Sequence, residues 1–275
     1  MPFSVLMSVY RNDKPEFVIR AIESVTSLQT LKPAEIIIIV DGEVDEALHN
    51  ILKSLESTKD YSFCITQLPE NKGLGNALRI GTELASYPII ARMDSDDVAM
   101  PNRFEKQIKY LEDNPDCDIV GGQITEFIGS ENNIVGKRTV PCTHSEIIHY
   151  LKSRCPFNHM TVAFKKNAIL SAGGYIPWHY NEDYFLWIRM ALNGCKFANF
   201  QDSLVNVRIG KEMYARRGGW KYFTSEEKLQ RYMLQNHLVN IPQYLYNICG
   251  RFALQVLMPN NVRGWLFRNL FRDKI

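Results

Sequence analysis

The sequence predicts an α/β protein with a Rossmann-like, mainly parallel sheet flanked by helices and continued by a C-terminal helical tail. Three observations predict it. Four short apolar runs, FSVLMSVY (3–10), EIIIIV (35–40), SFCITQL (62–68) and PIIARMD (88–94), follow one another through the N-terminal third of the chain. The stretches between them carry apolar residues at three- and four-residue spacing, the period of a helix. Alternation of this kind implies crossover connections and a sheet covered on both faces. The chain is also long enough, at 275 residues with 45% apolar side chains, to bury a full core.

Taken in order, the first run ends at Tyr10, after which Asp13 is placed to cap a helix with Pro15 in its first turn. Phe17, Val18, Ala21, Ile22, Val25 and Leu28 form one apolar stripe on that helix. The second run ends at Asp41, before Gly42, and helix spacing returns from Leu74 to Ala85. The fourth run ends at Asp94. Pro101 opens a helix carrying Phe104, Ile108 and Leu111, and DIVGG (118–122) supplies another strand. The stretch 123–165 is mixed and gives no clear assignment. A further helix begins near Glu182, with Asn181 as its expected cap, two acids favouring its dipole and Leu186, Ile188, Met190 and Leu192 along it. Ligands of open α/β sheets lie beyond the carboxyl ends of the strands, so Tyr10, Asp41 and Asp94 are expected to converge on one cleft.

The formal net charge of +2 is too small to argue for nucleic acid. It is unevenly placed, because residues 211–275 hold eleven Lys/Arg against four Asp/Glu. Six cysteines without a C-x-x-C pair or nearby histidines argue against a zinc site or a disulfide framework and favour a reducing compartment. The N-terminus lacks the basic and long apolar regions of a signal peptide, and no apolar run approaches bilayer length. A cytoplasmic protein is expected, touching a membrane at most from that side.

Chemistry concentrates in two places. Met93-Asp94-Ser95-Asp96-Asp97 sets three carboxylates at the end of an apolar strand, where their repulsion needs a cation or donors to offset it. Such hard oxygen ligands suit Mg²⁺ or Mn²⁺, which complete their shells with water and phosphate; a solvated acidic turn is the plain alternative. Asn181-Glu182-Asp183-Tyr184 offers a carboxylate able to deprotonate a hydroxyl, or simply an acidic helix start. Asn71-Lys72-Gly73-Leu74-Gly75 looks like a phosphate loop opening a helix but lacks the glycine and G-K-[ST] of standard ones. Lys72 and Arg79 are its candidate phosphate contacts. Arg216, Arg217, Trp220, Lys221 and Tyr222, and then 262–272, mix arginine with aromatics in the manner of an interfacial helix on anionic lipid, or of a helical cap packed on the preceding domain.

In this order and spacing, SVY (8–10), VDG (40–42), NKGLGNAL (71–78), MDSDD (93–97), PxR (101–103), NH (158–159), GGY (173–175) and EDYFLW (182–187) resemble glycosyltransferase family 2, in particular its bacterial exopolysaccharide and O-antigen branch. The resemblance spans roughly residues 3–210. It implies a GT-A catalytic domain over 1–210 and a basic, aromatic helical extension over 211–275. It further implies an inverting, metal-dependent hexosyltransferase that moves a sugar from a nucleotide donor, with UDP-hexose or UDP-N-acetylhexosamine foremost, to a lipid-linked glycan. On that basis Ser8, Tyr10 and Asp41 hold the nucleoside, Asp94 contacts ribose or metal, and Asp96 ligates Mn²⁺ or Mg²⁺. Asp183 is the general base with Glu182 beside it, Arg208 approaches the leaving diphosphate, and His159 and His179 lie on the acceptor side. Arg79 departs from the small polar residue common at its position. A sugar nucleotidyltransferase is the rival enzyme, but it needs a glycine-rich loop after the first strand, where this chain has SVYRNDKPEF. An inactive sugar-nucleotide-binding subunit is the non-enzymatic alternative.

Overall fold

The computed structural model describes residues 1–210 and 218–259. Its elements are β1 (Ser4–Val9), α1 (Pro15–Val25), β2 (Glu35–Val40), α2 (Glu46–Glu56), β3 (Phe63–Gln67), α3 (Leu74–Leu84), β4 (Ile89–Met93), β5 (Val98–Ala99), α4 (Arg103–Asp113), β6 (Ile119–Phe127), β7 (Ile134–Arg138), α5 (His144–Leu151), β8 (Ala163–Lys165), α6 (Lys166–Ser171), α7 (Glu182–Leu192), β9 (Phe197–Arg208), α8 (Trp220–Gln235) and α9 (Ile241–Phe252). A 3₁₀ turn at His159–Thr161 and a π-helical turn at Ala253–Leu257 complete the list.

The strands form one sheet in the order β3-β2-β1-β4-β8-β6-β9-β5, with β7 on β6. The expected parallel order holds for β3, β2, β1 and β4. Beyond β4 the sheet is mixed, since β8 runs antiparallel to both β4 and β6 while β6 and β9 are parallel. The unassigned stretch 123–165 thus supplies the rest of β6, then β7, α5 and β8. Strands β6 and β9 slip register at Gly121 to Ile124. There a Cβ on Gly122 would sit 2.6 Å from the Leu204 side chain, so the pair closes at the bend only without one.

Alternation along the strands divides the core. Phe3, Val5, Met7, Val9, Ile36, Ile38 and Val40 face α1 on one side, and Leu6, Ile37 and Ile39 face α3 and α7 on the other. Every residue of β2 is buried, as a central parallel strand requires. From Tyr184 to Met190 helix α7 is buried all round, which is why its apolar residues show no clean stripe. Helices α8 and α9 pack onto this second layer through Leu229 and Met233 and through a Phe185–Tyr232 edge contact. Asn247 and Arg251 also donate to the carbonyls of Lys152 and Ser153. Residues 220–257 therefore follow the helical-cap alternative. Arg216, Arg217 and the stretch 262–272 lie outside the described residues, and the interfacial-helix reading rests largely on them. No described helix is long and apolar enough to cross a membrane.

Helix propensity and packing disagree at Gly81 of α3. Alanine is worth about 1 kcal/mol over glycine in a helix interior. Here, however, its Cβ would fall 2.2 Å from Leu6 Cδ1 and 3.1 Å from Ile39 Cγ1, and overpacking of that kind costs about 1–3 kcal/mol. Gly81→Ala is expected to lower the urea midpoint; a raised midpoint would show that Leu6 gives way freely.

Candidate active site

The carboxyl end of β4 is organised by an arginine that the sequence motifs did not single out. Arg92 sits in the otherwise apolar run PIIARMD with its side chain 2% exposed, and its guanidinium grips both carboxylate oxygens of Asp94. Burial works against its charge, but Asp94, Tyr175 and Asp97 more than offset this and hold its pKa above the ordinary value. Its Nε has no hydrogen-bond partner among the described residues. Arg103, the arginine of PxR, is also buried and secures this point from below by donating to the Arg92 carbonyl at 2.6 Å and to Gln107 at 3.0 Å. Burial and then the neighbouring Arg92 bring Arg103 down to about 9.

Four carboxylates surround this point. Asp13 does not cap α1, whose N-cap is Lys14. It accepts instead from the Tyr10 amide at 3.0 Å and from Ser95 Oγ at 2.8 Å, tying the end of β1 to the MDSDD turn. Burial raises its pKa to about 6. Asp96 rises to about 6 as well, through burial first and then Asp94 and Asp13. Asp97 is pushed far up by burial and by Asp96 and Asp94, and accepts from the Arg208 amide at 2.9 Å.

Among the described residues no three His, Cys, Asp or Glu side chains are already gathered as a metal cage. Donors here are carboxylate oxygens that destabilise one another, and the Asp96 side chain has no side-chain hydrogen-bond donor among the described residues. That set fits a small divalent cation of the kind that takes one or two carboxylates and completes its shell with substrate phosphate and water.

Glu182 and Asp183 open α7 into the same cleft. Asn181 precedes them, but its side chain caps nothing; its amide donates to Ser225 Oγ at 3.3 Å and more weakly to the His179 carbonyl. Asp183 accepts from the Tyr184 amide at 2.7 Å and from the Cys155 thiol at 3.5 Å. Burial raises its pKa, opposed by those two donors and by Arg92 and Arg138. Burial and then Asp183 raise Glu182 to about 7, with Arg92 lowering and Asp94 raising it further on. Arg92 and Asp94 thus act on both acidic constellations, which places the two in one electrostatic site. Gly75 lets α3 press against the start of α7, because a Cβ there would meet Glu182 Cβ at 3.2 Å and the Pro177 backbone at 3.3 Å.

The remaining expected residues divide. Arg208 is at the cluster: Nε donates to the Asp96 carbonyl at 3.2 Å, and the guanidinium lies over the Phe17 and Phe127 rings at 3.8 and 4.6 Å. Ser8 and Tyr10 are half-buried at and just beyond the end of β1. Asp41 is buried, and its two carboxylate oxygens accept from the amides of Lys72 and Gly73, both at 2.8 Å. The NKGLG loop therefore turns its amides onto Asp41 and not onto a phosphate. Gly42 makes room for it, with φ +90 and Asn71 N only 2.7 Å from where a Cβ would be. The Lys72 ammonium pairs with Glu70 in solvent, and Arg79 pairs with Glu83 and Asn76 along the exposed side of α3. Neither is brought to the carboxylates, since each has a nearer acidic or amide partner on its own segment. His159 lies against Tyr175 and Trp187, its Nε2 3.0 Å from the Tyr175 hydroxyl, and burial with Arg92 keeps it well below its usual pKa. His179 is on the loop before α7, its ring against Tyr180.

Residues 4–175 match the model of glycosyl transferase family 2. The chain belongs to this family. The transferase is 38% identical over 99% of its length to the whole of an uncharacterized glycosyltransferase of Haemophilus influenzae. It is 36% identical, over 98% of this chain and 96% of the other, to the Escherichia coli UDP-Gal:alpha-D-GlcNAc-diphosphoundecaprenol beta-1,3-galactosyltransferase. With the amylovoran biosynthesis glycosyltransferase AmsE of Erwinia amylovora it shares 39% identity over 84% and 85% of the two chains. Among solved structures, S. aureus TarS 1–349 in complex with UDP-GlcNAc superposes with a TM-score of 0.67 over 92% of this chain and 73% of that one at 15% identity, which shows the common GT-A fold. Family membership removes the nucleotidyltransferase alternative.

Two measurements test the electrostatics of the transferase. Arg92→Met leaves Asp94 and its neighbours without their buried cation and is expected to cost about 3–5 kcal/mol in urea unfolding; adding Asp94→Asn should recover part of that loss. The second concerns Glu182, whose folded pKa of about 7 exceeds the ordinary 4.5. The folded state then binds more protons than the unfolded one, so the contribution of Glu182 to stability falls as pH rises across that window. The melting temperature of Glu182→Gln is accordingly expected to gain on the parent from pH 4.5 to about 7 and then to level off. A pH-independent difference would refute the raised pKa.

Proposed function

We propose that this transferase moves a hexose or N-acetylhexosamine, with inversion, from a UDP-sugar to a hydroxyl of a lipid-linked glycan in bacterial surface polysaccharide synthesis. The observation that carries the reading is the paired carboxylates Glu182 and Asp183 at the start of α7, close enough to the Arg92–Asp94 ion pair for the charges to act on one another. The E. coli relative named for a UDP-Gal donor and a diphosphoundecaprenol-linked GlcNAc supports the substrate classes. So does the UDP-GlcNAc complex of TarS.

In this reading Ser8, Tyr10 and Asp41 flank the nucleoside at the ends of β1 and β2. Asp96, with Asp94 beside it, holds Mn²⁺ or Mg²⁺, and the fold neighbour PcManGT of Pyrobaculum calidifontis in complex with GDP-Man and Mn2+ supports the choice. The cation when bound supplies neutralisation of diphosphate charge. Arg208, fixed against the Asp96 carbonyl and two aromatic rings, sets a second positive charge where the leaving diphosphate gains negative charge. Asp183 takes the acceptor hydroxyl proton as the oxygen attacks the anomeric carbon, and the bond from that carbon to the diphosphate oxygen breaks on the opposite face. Its raised pKa makes it a stronger base than an ordinary aspartate. Glu182 positions donor or acceptor beside it. The basic and aromatic residues of 262–272 are the part of the extension whose composition suits contact with an anionic membrane face, in reach of a lipid-linked acceptor.

Asp183→Asn tests the assignment. It is expected to lower transfer at least ~100-fold while UDP-sugar with Mn²⁺ still raises the melting temperature as in the parent. Unchanged transfer would remove Asp183 as the base, and an unchanged melting shift in the presence of EDTA would remove the metal.

A further inference from the structure

The loop before α7 carries a feature that the transfer mechanism leaves unused. Tyr180, two residues before Glu182, has φ +57, a backbone conformation that bulky side chains rarely adopt. The conformation holds a large ring 55% exposed to solvent. Its ring lies 4.3 Å from that of His179 and 6.4 Å from that of Tyr222, on the first turn of α8. This arrangement is built, not incidental. Ser225 of α8 donates to the His179 carbonyl at 2.7 Å and accepts from Asn181 Nδ2 at 3.3 Å, and its own carbonyl accepts from Trp178 Nε1 at 3.3 Å. The Trp178 ring is packed on Phe185 of α7 at 4.2 Å. Helix α8 thus clamps the loop on both sides of Tyr180 while leaving the ring in solvent.

We propose that Tyr180, Tyr222 and His179 form a stacking subsite for a sugar ring of the acceptor, built jointly by the 178–181 loop and α8. The chemistry fits one class of occupant. A pyranose presents an apolar C–H face, which an aromatic ring covers, and hydroxyl edges, which the phenol and imidazole tips can reach. Helix α8 meets this loop and α7 at Trp178, His179, Asn181 and Phe185. Tyr180 is two residues before Glu182, so a sugar stacked there would lie near the start of α7, where the proposed mechanism needs an attacking hydroxyl. The inference rests on the reading of Glu182 and Asp183 as the site of transfer.

Saturation-transfer NMR tests it without requiring turnover. The probes are methyl β-N-acetylglucosaminide and an N-acetylglucosaminyl diphosphate bearing a short alkyl chain, each with and without UDP. The parent is expected to saturate the sugar ring protons. Tyr180→Ala and Tyr222→Ala should each weaken the probe's affinity by ~3- to 10-fold, the scale of one aromatic contact, and Tyr180→Trp should keep it. Folding of each variant is read from an unchanged UDP-induced melting shift. No saturation in the parent with either probe, or equal affinity in the alanine variants, would overturn the subsite. Transfer is scored separately: sugar binding through Tyr180 without transfer to any acceptor would sink the transferase mechanism and leave the subsite standing.

Discussion

The cleft depends on one buried ion pair. Without Arg92, the end of β4 would set Asp94, Asp96 and Asp97 near Asp13 with no buried cation among them, and Asp97 is itself buried. A buried pair of this sort is weak evidence of net stability, because desolvating two charges costs about as much as their attraction returns. Its role is better seen as permission. The cation lets β4 deliver ionised oxygen to the cleft, and Arg103 fixes the backbone from which Arg92 projects.

One arginine does not neutralise the cluster. Asp13 and Asp96 at about 6 and Glu182 at about 7 show that the ligand-free site keeps its protons unusually long. A site in that condition stores a preference for positive charge. A divalent cation arriving with a nucleotide diphosphate would satisfy it. The dipole of α7 pulls in the same direction, since amides at a helix start favour the ionised form of Glu182 and Asp183. Burial nevertheless prevails at both residues.

Much of this was legible in the sequence, for identifiable reasons. Strand ends could be read because apolar runs stop where chains leave a sheet, so Tyr10, Asp41 and Asp94 were found from local pattern alone. Asp13 was misread as a cap, and Asn181 holds the expected N-cap position without bonding the helix amides, because only the folded chain shows that Ser95 and Ser225, 82 and 44 residues away, claim their side chains. The NKGLG loop hid a partner for the same reason: two of its amides, those of Lys72 and Gly73, are free in sequence and taken by Asp41 in space. The stretch 123–165 resisted because its partners are distant and β6 bends at a glycine pair. Arg92 carried a visible signal, a charge within a strand otherwise buried on both faces, but it was read through its neighbours' carboxylates and not for itself.

In the proposed reading, the donor and acceptor sides of the site are built from different parts of the chain. The residues assigned to the donor come from the ends of β1, β2 and β4 and their turns, elements fixed by the core of the sheet. The wall around Tyr180 comes from a loop held by α8, which lies beyond the strands and beyond the stretch that matches the family model. Changes in α8 can therefore reshape what lies against the Glu182–Asp183 end while the strand-end acids stay where the sheet puts them. A division of this kind would allow one donor chemistry to serve many acceptors, since acceptor choice could then vary in a helix that carries none of the strand-end acids.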